Sequence, residues 1–299
     1  MKTNRVRISR EDKAVSAAAY LIITILCLFI LLPCLNVLAL SFNDGKDAAA
    51  GGVWFWPRKW STQNYREVFH DGSILRAYGI TVARTLVGTA MSLAVTACAA
   101  FALNQTELPG RGIITFAFTF TMLFGGGTIP TYIQYKDLHL LNTFWVYVIP
   151  PLVSVTYLIM MRASFNSIPY ALNEAAKLDG CGYVRTFIQV ILPLSKPVLA
   201  VVALYTAVGH WNDWYAGAFY QKSKDMWPVQ TVLQQMLARA TKTEEAATVG
   251  QAIAAENRGS TTDSLKMAAV VITTVPILCI YPFAQKYFAK GALIGAVKG

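Results

Sequence analysis

The chain has 299 residues, of which 55% are hydrophobic and only 14% are charged, and its mean hydropathy is +0.43. Soluble domains usually carry about 25% charged residues, so this composition argues against a soluble domain and favours an integral membrane protein. The net charge of +10 does not indicate nucleic-acid binding, because the basic residues are not clustered with aromatic residues on a polar face.

Six apolar stretches predict six membrane-spanning helices, and hence an all-α integral membrane fold. The predicted spans are Val15–Leu40, Arg76–Leu103, Ile113–Ile133, Leu141–Met161, a fifth from just after Pro197 to Phe219, and Lys266–Phe288. Five cations precede the first span and place the N-terminus in the cytoplasm. Because the number of spans is even, the C-terminus is expected on the same side.

This topology divides the chain into three parts. Residues 1–14 form a cytoplasmic N-terminal segment, residues 15–288 form the transmembrane domain, and residues 289–299 form a cytoplasmic C-terminal tail. Within the transmembrane domain, residues 167–197 are expected to form a cytoplasmic hairpin and residues 220–263 an outer loop.

Two features of the predicted spans leave alternatives open. The run Gly125–Gly127 followed by Pro130 predicts either a broken helix inside the third span or a helix end near the outer surface. Arg84 in the second span is either a snorkelling surface residue or the internal partner of an acidic residue.

The cytoplasmic hairpin carries its own helical pattern. Ser167 and Pro169 are suited to begin a first short helix, and Gly180 can take the left-handed conformation that ends it. Tyr183–Ile191 is expected to form a second short helix, which two prolines then end. The alanine-rich face of the first helix either fits a groove of a cytoplasmic partner or packs as an ordinary connector on its own bundle.

The outer segments contain an aromatic group and a polar loop. Four aromatic residues surround cations after the first span, which is typical of a membrane-interface belt, with sugar stacking as the alternative. They are Trp54, Phe55, Trp56 and Trp60. Apolar residues recur at helical spacing after Pro228 and predict an amphipathic helix. The polar stretch Thr241–Thr262 that follows is long enough to suggest a partner-binding loop.

The sequence carries no recognisable catalytic motif. It has no phosphate-binding loop, no nucleophile elbow and no zinc-protease motif, and its three histidines and five cysteines do not form a metal-binding set. We therefore expect no enzyme activity and no metal site on this chain. If the protein transports a solute, the energy must come from a partner.

The hairpin contains a motif with a recognisable spacing. Its residues are Glu174, Ala175 and Ala176, followed by Gly180, Val190, Leu192 and Pro193. This segment resembles the EAA signature of the membrane subunits of binding-protein-dependent ABC importers, and it departs from the family pattern only in having valine at the isoleucine position. Further segments resemble the carbohydrate-uptake branch, which includes the smaller maltose permease subunit; they are Asn64-Tyr65, Leu108–Gly112 and Trp211–Tyr215. Phe124–Pro130 and Lys290–Gly299 resemble a sub-branch that imports complex oligosaccharides.

The resemblance implies a type I ABC importer permease in a bacterial plasma membrane. Its expected partners are a second homologous permease in a heterodimer, two cytoplasmic ATPase domains, an extracytoplasmic sugar-binding protein, an oligosaccharide substrate and the lipid membrane. ATP and Mg would be held by the ATPase, and this chain would bind no cofactor. The alternatives are a permease for a non-sugar solute and a non-transporting membrane scaffold.

The resemblance also implies site residues. In this family the hairpin is the coupling element that docks on the ATPase, and the matching residues here are Glu174, Ala175, Ala176, Leu178, Asp179, Gly180, Val190, Leu192 and Pro193. Candidates for the sugar path are side chains that can stack on sugar rings or bind hydroxyl groups, namely Trp211, Asn212, Asp213, Trp214, Tyr215, Tyr132, Gln134 and Tyr135. The alternative is that these aromatic residues only pack helices or face lipid headgroups. The outer loop corresponds to the one that reaches into the binding protein in the maltose system, with Gly250, Asn257, Arg258 and Gly259 as candidate contacts.

Overall fold

The computed structural model describes residues 10–70, 72–246 and 261–296. In these ranges the chain is predominantly helical, and its β-pairing is limited to a single antiparallel bridge between Asn43 and Trp60. The all-helical fold class expected from the sequence is therefore confirmed.

The contacts divide the chain into two compact units, and the helices are labelled in chain order. The first unit comprises Met1–Asp71 with Met236–Ile272, and the second comprises Gly72–Gln235 with Thr273–Gly299. The α-helices are α1 (Arg10–Ser41), α2 (Gly45–Ala49), α3 (Gln63–His70), α4 (Ser73–Ala102), α5 (Arg111–Leu123), α6 (Thr128–Asp137), α7 (Val155–Asn166), α8 (Tyr170–Leu178), α9 (Tyr183–Thr186), α10 (Leu192–Leu194), α11 (Lys196–Asn212), α12 (Tyr215–Tyr220), α13 (Val229–Ala246) and α14 (Thr262–Ala296). A π-helical turn, Phe187–Ile191, links α9 to α10, and short 3₁₀ helices occupy Phe144–Tyr147 and Lys224–Met226.

Two helices, α1 and α4, are long and apolar enough to cross a membrane, judged over the residues that the structure describes. They contain the first and second predicted spans. A bent pair, Tyr183–Leu194 with α11, passes the same test if both parts count as one span, and its two axes differ by 82°. The third, fourth and fifth predicted spans are built from shorter or interrupted helices, and the sixth lies within α14.

The second unit is organised around α4, which packs along α11 and α7. Small residues on α4 allow this close approach of helix backbones. At the tightest point, a Cβ atom placed on Gly88 would lie 2.4 Å from Nε2 of His210 on α11. Near its end, α4 shares a buried core with α7, α11 and the π-helical turn; its members are Ala97, Ala100, Phe101, Leu103, Leu158, Met161, Phe165, Ile191 and Val202.

The third predicted span is interrupted at its glycines, which is compatible with both a broken helix inside the span and a helix end near the outer surface. α5 ends at Leu123 and α6 begins at Thr128, with no helical residue between them. Gly127 has a φ of 83°, a left-handed value that residues with a side chain rarely adopt. Pro130 then lies in the first turn of α6, where its missing N–H removes no helical hydrogen bond.

The fourth predicted span, Leu141–Met161, is interrupted around its central prolines. The structure has the 3₁₀ helix Phe144–Tyr147 and then no regular helix until α7 begins at Val155. Pro150 and Pro151 account for the interruption, because each lacks a backbone N–H and disfavours the helical conformation of the residue before it. Within the irregular segment, Val148 is buried in a core against which Leu152 packs, whereas Ile149 is 41% accessible.

The fifth predicted span is divided at Asp213. α11 ends at Asn212 and α12 begins at Tyr215. The carboxylate of Asp213 accepts hydrogen bonds from the backbone N–H groups of Tyr215 at 2.9 Å and Ala216 at 3.2 Å. It thereby satisfies two of the free donors at the start of α12, so a side chain sets the interruption that the apolar pattern did not predict.

The cytoplasmic hairpin has the predicted helix, turn and second helix, with two corrections. α8 follows Pro169 and ends before Gly180, whose φ of 75° confirms the left-handed turn. Ser167 does not cap α8, because its hydroxyl group donates to a carbonyl of the preceding helix at 2.7 Å. The second helix begins at Tyr183 as expected, but the chain bends at Ser195, between the two prolines that were expected to end it.

In the first unit, the segment after α1 is fixed by a buried amide side chain. The amide nitrogen of Asn64 donates to the backbone carbonyls of Ser41 at 3.0 Å and Asn43 at 2.9 Å. Its amide oxygen accepts from the hydroxyl group of Ser264 at 2.9 Å. The aromatic side chains of this segment stay outside, and the exposed fractions are 69% for Trp54, 53% for Phe55, 71% for Trp56 and 60% for Trp60. Their exposure is compatible with both an interface belt and a sugar-stacking surface.

Candidate functional site

The cytoplasmic hairpin exposes one face of α8 and packs the other. Glu174, Ala175 and Leu178 are exposed, and 89% of Leu178 is accessible. Leu178 lies four positions after Glu174 and three after Ala175, so its side chain neighbours both on the helix surface, which Asp179 extends. Ala176 is only 7% accessible, so it packs inside its own chain. The candidate coupling surface is thus the outward face of α8 without Ala176.

The hairpin is tied to the inner loop between α4 and α5 by the carboxylate of Glu107. Lys177 on α8 donates to one oxygen of Glu107 at 2.9 Å, and the hydroxyl group of Tyr183 on α9 donates to the other at 2.5 Å. The Lys177 ammonium also lies 5.7 Å from the centre of the Tyr183 ring. The hydrogen bond from Tyr183, followed by that from Lys177, lowers the pKa of Glu107. Glu107 was missed from the sequence, although it is the lone acidic side chain of an inner loop that also carries Arg111.

The second half of the hairpin runs into the buried core. Val190 and Leu192 are half-buried and flank Ile191, which is 1% accessible. Pro193 is exposed and lies two residues before the bend at Ser195. These candidate coupling residues therefore attach the hairpin to the bundle, whereas those on α8 face outward.

A cavity of about 280 Å³ lies between the hairpin and the end of α4. It is lined by Phe101, Gln105, Asn173, Lys177, Cys181, Gly182, Tyr183 and Thr186. Beside this cavity, the Glu107 carboxylate supplies two contacts that hold the hairpin, one from Lys177 and one from Tyr183.

An aromatic cluster forms where α6 meets α12, and it contains three of the predicted sugar-path residues. The cluster consists of Tyr132, Tyr135, Tyr215 and Tyr220. Around Tyr220, ring centroids lie at 4.9 Å for Tyr135, 5.9 Å for Tyr215 and 6.3 Å for Tyr132. The hydroxyl group of Tyr215 also donates to that of Thr128 at 3.1 Å. Tyr220 was missed from the sequence, where its only signal was an aromatic residue after a helical run.

The remaining sugar-path candidates divide into accessible and buried residues. Asn212, Gln134 and Trp214 are exposed, with 40% of Trp214 accessible. Trp211 is 6% accessible, and its indole N–H donates to the backbone carbonyl of Thr273 at 3.3 Å. For Trp211 the helix-packing alternative therefore applies, whereas the other three can be reached from outside the chain.

Arg84 is an internal ion-pair partner, which excludes the snorkelling alternative. Only 1% of its surface is accessible, and one guanidinium nitrogen lies 2.5 Å from Oδ2 of Asp213. A second nitrogen donates to the backbone carbonyl of Asp213 at 3.1 Å. The guanidinium carbon lies 4.5 Å from the centre of the Tyr147 ring, within cation–π range. The structure therefore commits Asp213 to the ion pair and to the start of α12.

The predicted amphipathic helix after Pro228 is present as α13, and it begins at Val229. The candidate contacts for a binding protein, Gly250, Asn257, Arg258 and Gly259, lie outside the described residues. Their contribution to a site therefore stays a prediction.

Comparison with known proteins places these features in a family. Residues 112–293 match the model of the binding-protein-dependent transport system inner membrane component. Protein LplC of Bacillus subtilis strain 168 is 39% identical over 269 residues, which cover 90% of each chain. The polygalacturonan/rhamnogalacturonan transport system permease protein YtcP of the same organism is 34% identical over 273 residues, which cover 91% of this chain and 94% of YtcP.

The fold also matches a solved structure. It is a crystal structure of a bacterial ABC transporter involved in the import of the acidic polysaccharide alginate, with a TM-score of 0.85 and 27% sequence identity. The match covers 94% of this chain and 98% of that one. The exposed face of α8 and the broken spans are compatible with the family match. That family consists of membrane transport components, not of enzymes. The chain belongs to the family of binding-protein-dependent transport system inner membrane components.

Proposed function

We propose that this chain is the permease subunit of an ATP-driven importer of oligosaccharides and forms half of the translocation path. The observation that carries the proposal is the outward face of α8, which offers Glu174, Ala175 and Leu178 at the position of the family's coupling motif. The substrate class is supported by YtcP, whose name specifies polygalacturonan and rhamnogalacturonan, and by the importer of the acidic polysaccharide alginate.

The proposed complex contains a second homologous permease, two cytoplasmic ATPase domains and an extracytoplasmic sugar-binding protein. ATP and Mg are held by the ATPase, and this chain carries no cofactor. Residues 1–14 and 289–299 lie in the cytoplasm of a bacterium, on either side of the transmembrane domain of residues 15–288. The outer residues Gly250, Asn257, Arg258 and Gly259 contact the binding protein.

The proposed mechanism is alternating access between two states of the permease pair. ATP binding closes the ATPase domains and moves the two hairpins together, which opens the path outward to receive sugar from the binding protein. Hydrolysis returns the path to the inward state. Glu174 makes charge-assisted or capping contacts with the ATPase, and Ala175 and Leu178 fill its docking cleft.

In the sugar path, we assign stacking to one exposed and three half-buried aromatic residues, and hydrogen bonding to the exposed amides. The stacking residues are Trp214, Tyr215, Tyr132 and Tyr135, and the amides belong to Gln134 and Asn212. Trp211 supports the path from behind through its packing between helices.

The experiment that tests the coupling role compares two glycines of the hairpin turn. Gly180→Val should uncouple sugar-stimulated ATP hydrolysis from uptake, because a β-branched residue strains a φ of 75° and distorts the end of α8. Gly182→Val is the matched control, since Gly182 has a φ of −72° and a Cβ atom placed at either glycine would have no neighbouring atom within 4 Å. Both variants are measured in proteoliposomes that contain the whole complex.

The two variants should differ strongly in stimulated ATPase activity while reaching the membrane at equal levels. Normal stimulated ATPase activity in Gly180→Val would refute the assignment. A scaffold that does not transport would show no dependence of ATPase activity on sugar in the wild type. An importer of a non-sugar solute would be stimulated by that solute instead.

A further inference from the structure

The ion pair between Arg84 and Asp213 is unusual in being almost fully withdrawn from solvent on the arginine side. Arg84 is 1% accessible, whereas one third of the Asp213 side chain remains accessible. A second ion pair on α4, between Arg76 and Asp225, has both side chains at least 60% exposed. Exposed pairs contribute little to stability, but removing one partner of a buried pair leaves an uncompensated charge and is strongly destabilising.

All acceptor atoms of Asp213 are already engaged. Oδ1 accepts from the backbone N–H groups of Tyr215 and Ala216, Oδ2 accepts from Arg84, and the backbone carbonyl accepts from a second nitrogen of Arg84. The residue thus joins the buried guanidinium on α4 to the first turn of α12.

The same first turn carries exposed residues of the proposed sugar path. The backbone carbonyl of Trp214 accepts from the hydroxyl group of Thr231 at 2.8 Å, and the ring of Tyr215 joins the aromatic cluster at the start of α12. A Cβ atom on Gly217 would lie 2.2 Å from that Thr231 hydroxyl group. α12 is therefore held on two sides, by Arg84 through Asp213 and by Thr231.

We propose that Arg84 and Asp213 are a positioning pair, which holds Trp214 and Tyr215 in the geometry that binds oligosaccharide without either residue touching the sugar. The two charges of the pair cancel. Arg84 therefore does not bind the carboxylates of an acidic sugar. This inference rests on the proposed function for the location of the sugar path. It adds that a buried residue of α4, Arg84, controls the affinity for the substrate.

The test uses substitutions that separate charge from helix capping. Asp213→Asn keeps an oxygen that can accept from the backbone of α12 but leaves the Arg84 charge buried without its partner. The double variant Arg84→Met with Asp213→Asn removes both charges. Asp225→Asn is the matched control, because it breaks the exposed ion pair of the same helix.

Uptake by the reconstituted complex is measured as KM and maximal rate, with alginate and polygalacturonate oligosaccharides as probes. We expect Asp213→Asn to raise KM by about tenfold or more, which corresponds to about 1.4 kcal/mol, and the double variant to keep KM raised by a similar factor, because it also lacks the tie from α4 to α12. Asp225→Asn should leave both parameters unchanged. A wild-type KM in the double variant, or an unchanged KM in Asp213→Asn, would overturn the proposal.

A second readout does not depend on which sugar is carried. In a cysteine-free background, Trp214→Cys reports the position of α12 through its rate of labelling by a membrane-impermeant maleimide. Asp213→Asn should change this rate, and the double variant should show a similar change, even if no tested oligosaccharide is transported. Lack of transport by the wild type would then count against the proposed function alone, whereas an unaltered labelling rate would count against the positioning pair. If Asp213→Asn does not accumulate in the membrane, the double variant must do so for the proposal to stand.

Discussion

Gly88 shows how a single residue sets the distance between two helices of the bundle. A Cβ atom there would meet three atoms of the His210 ring, the nearest at 2.4 Å, whereas Gly79 on the same helix has no atom within 4 Å of such a carbon. Overpacking a close contact usually costs about 1–3 kcal/mol. At an open helical position, replacing glycine by alanine instead favours the helix by about 1 kcal/mol or less.

We therefore expect Gly88→Ala to lower the melting temperature of the purified complex and to reduce uptake. Gly79→Ala should leave uptake unchanged and stability equal or slightly higher. Thermal unfolding in detergent, followed by tryptophan fluorescence, measures both variants under the same conditions. Equal stabilities for the two variants would show that α4 and α11 do not approach as closely as described.

For single residues, the sequence predicts the chemical character of a side chain better than it predicts which other residues that side chain contacts. Arg84 could be recognised as a costly charge in an apolar span, but hydropathy does not state whether it snorkels or pairs. Asp213 was recognised as polar and was assigned to the sugar path, because its role as a helix cap depends on an interruption that only the fold reveals. Glu107 lies in a short loop whose spacing gives no indication that it meets Lys177 and Tyr183.

Among the structural elements, the cytoplasmic hairpin depends most on individual contacts. The Glu107 carboxylate bridges α8 and α9 beside a cavity of about 280 Å³. Glu107 and Lys177 are both substantially exposed, so we expect the tether to contribute little to global stability. Its effect should appear in coupling, because a loosened hairpin transmits less of the movement of its partner.

Glu107→Gln should therefore reduce sugar-stimulated uptake per ATP hydrolysed, with little change in the amount of protein in the membrane. Glu67→Gln, at a half-buried carboxylate on α3, serves as the control and should behave as wild type. The hydrogen bonds that Glu107 accepts from Tyr183 and Lys177 lower its pKa. This tether is therefore complete above the ordinary carboxyl pKa and is lost as pH falls through the lowered value. Coupling should therefore not vary through Glu107 between about pH 6 and 8. Full coupling in Glu107→Gln would contradict this role.

The helix breaks differ in how readily the sequence predicts them. Gly125–Gly127 lies within an apolar run and predicted the gap between α5 and α6, because glycine and proline are strong local signals. Pro150 and Pro151 are equally evident in the sequence. Prolines usually cause only a kink, but here the structure has a longer irregular segment. Val148 of this segment is buried in a core, and such packing against protein, which no local pattern encodes, allows the backbone to stay irregular.

For the whole molecule, hydropathy locates the apolar segments but does not identify what covers them. None of the most apolar stretch of α1 is buried within the chain, and no residue of α5 is buried either. Lipid and a partner subunit both accept such apolar surfaces. For this reason the helical fold class and the family could be predicted from the sequence, whereas the surfaces that cover these apolar faces could not.

The orientation leads to a labelling prediction. In a cysteine-free background, Trp56→Cys should react with a membrane-impermeant maleimide in intact spheroplasts, because Trp56 is 71% exposed on a segment expected outside. Leu178→Cys, at a residue that is 89% exposed on the cytoplasmic hairpin, should react only after permeabilisation. The opposite pattern would reverse the topology and move the hairpin away from any cytoplasmic ATPase.

The π-helical turn at Phe187–Ile191 determines how far the hairpin is rotated about the helix axis relative to the bundle. A π turn holds one residue more than an α turn, and each residue of an α-helix corresponds to a rotation of about 100°. Deleting Gln189, which is exposed, would restore α-helical spacing and rotate α8 and α9 by that angle relative to Ile191 in the core. Tyr183 would then face away from Glu107. A change of one residue in chain length at this turn can therefore redirect the whole docking face while leaving every side chain on it unchanged.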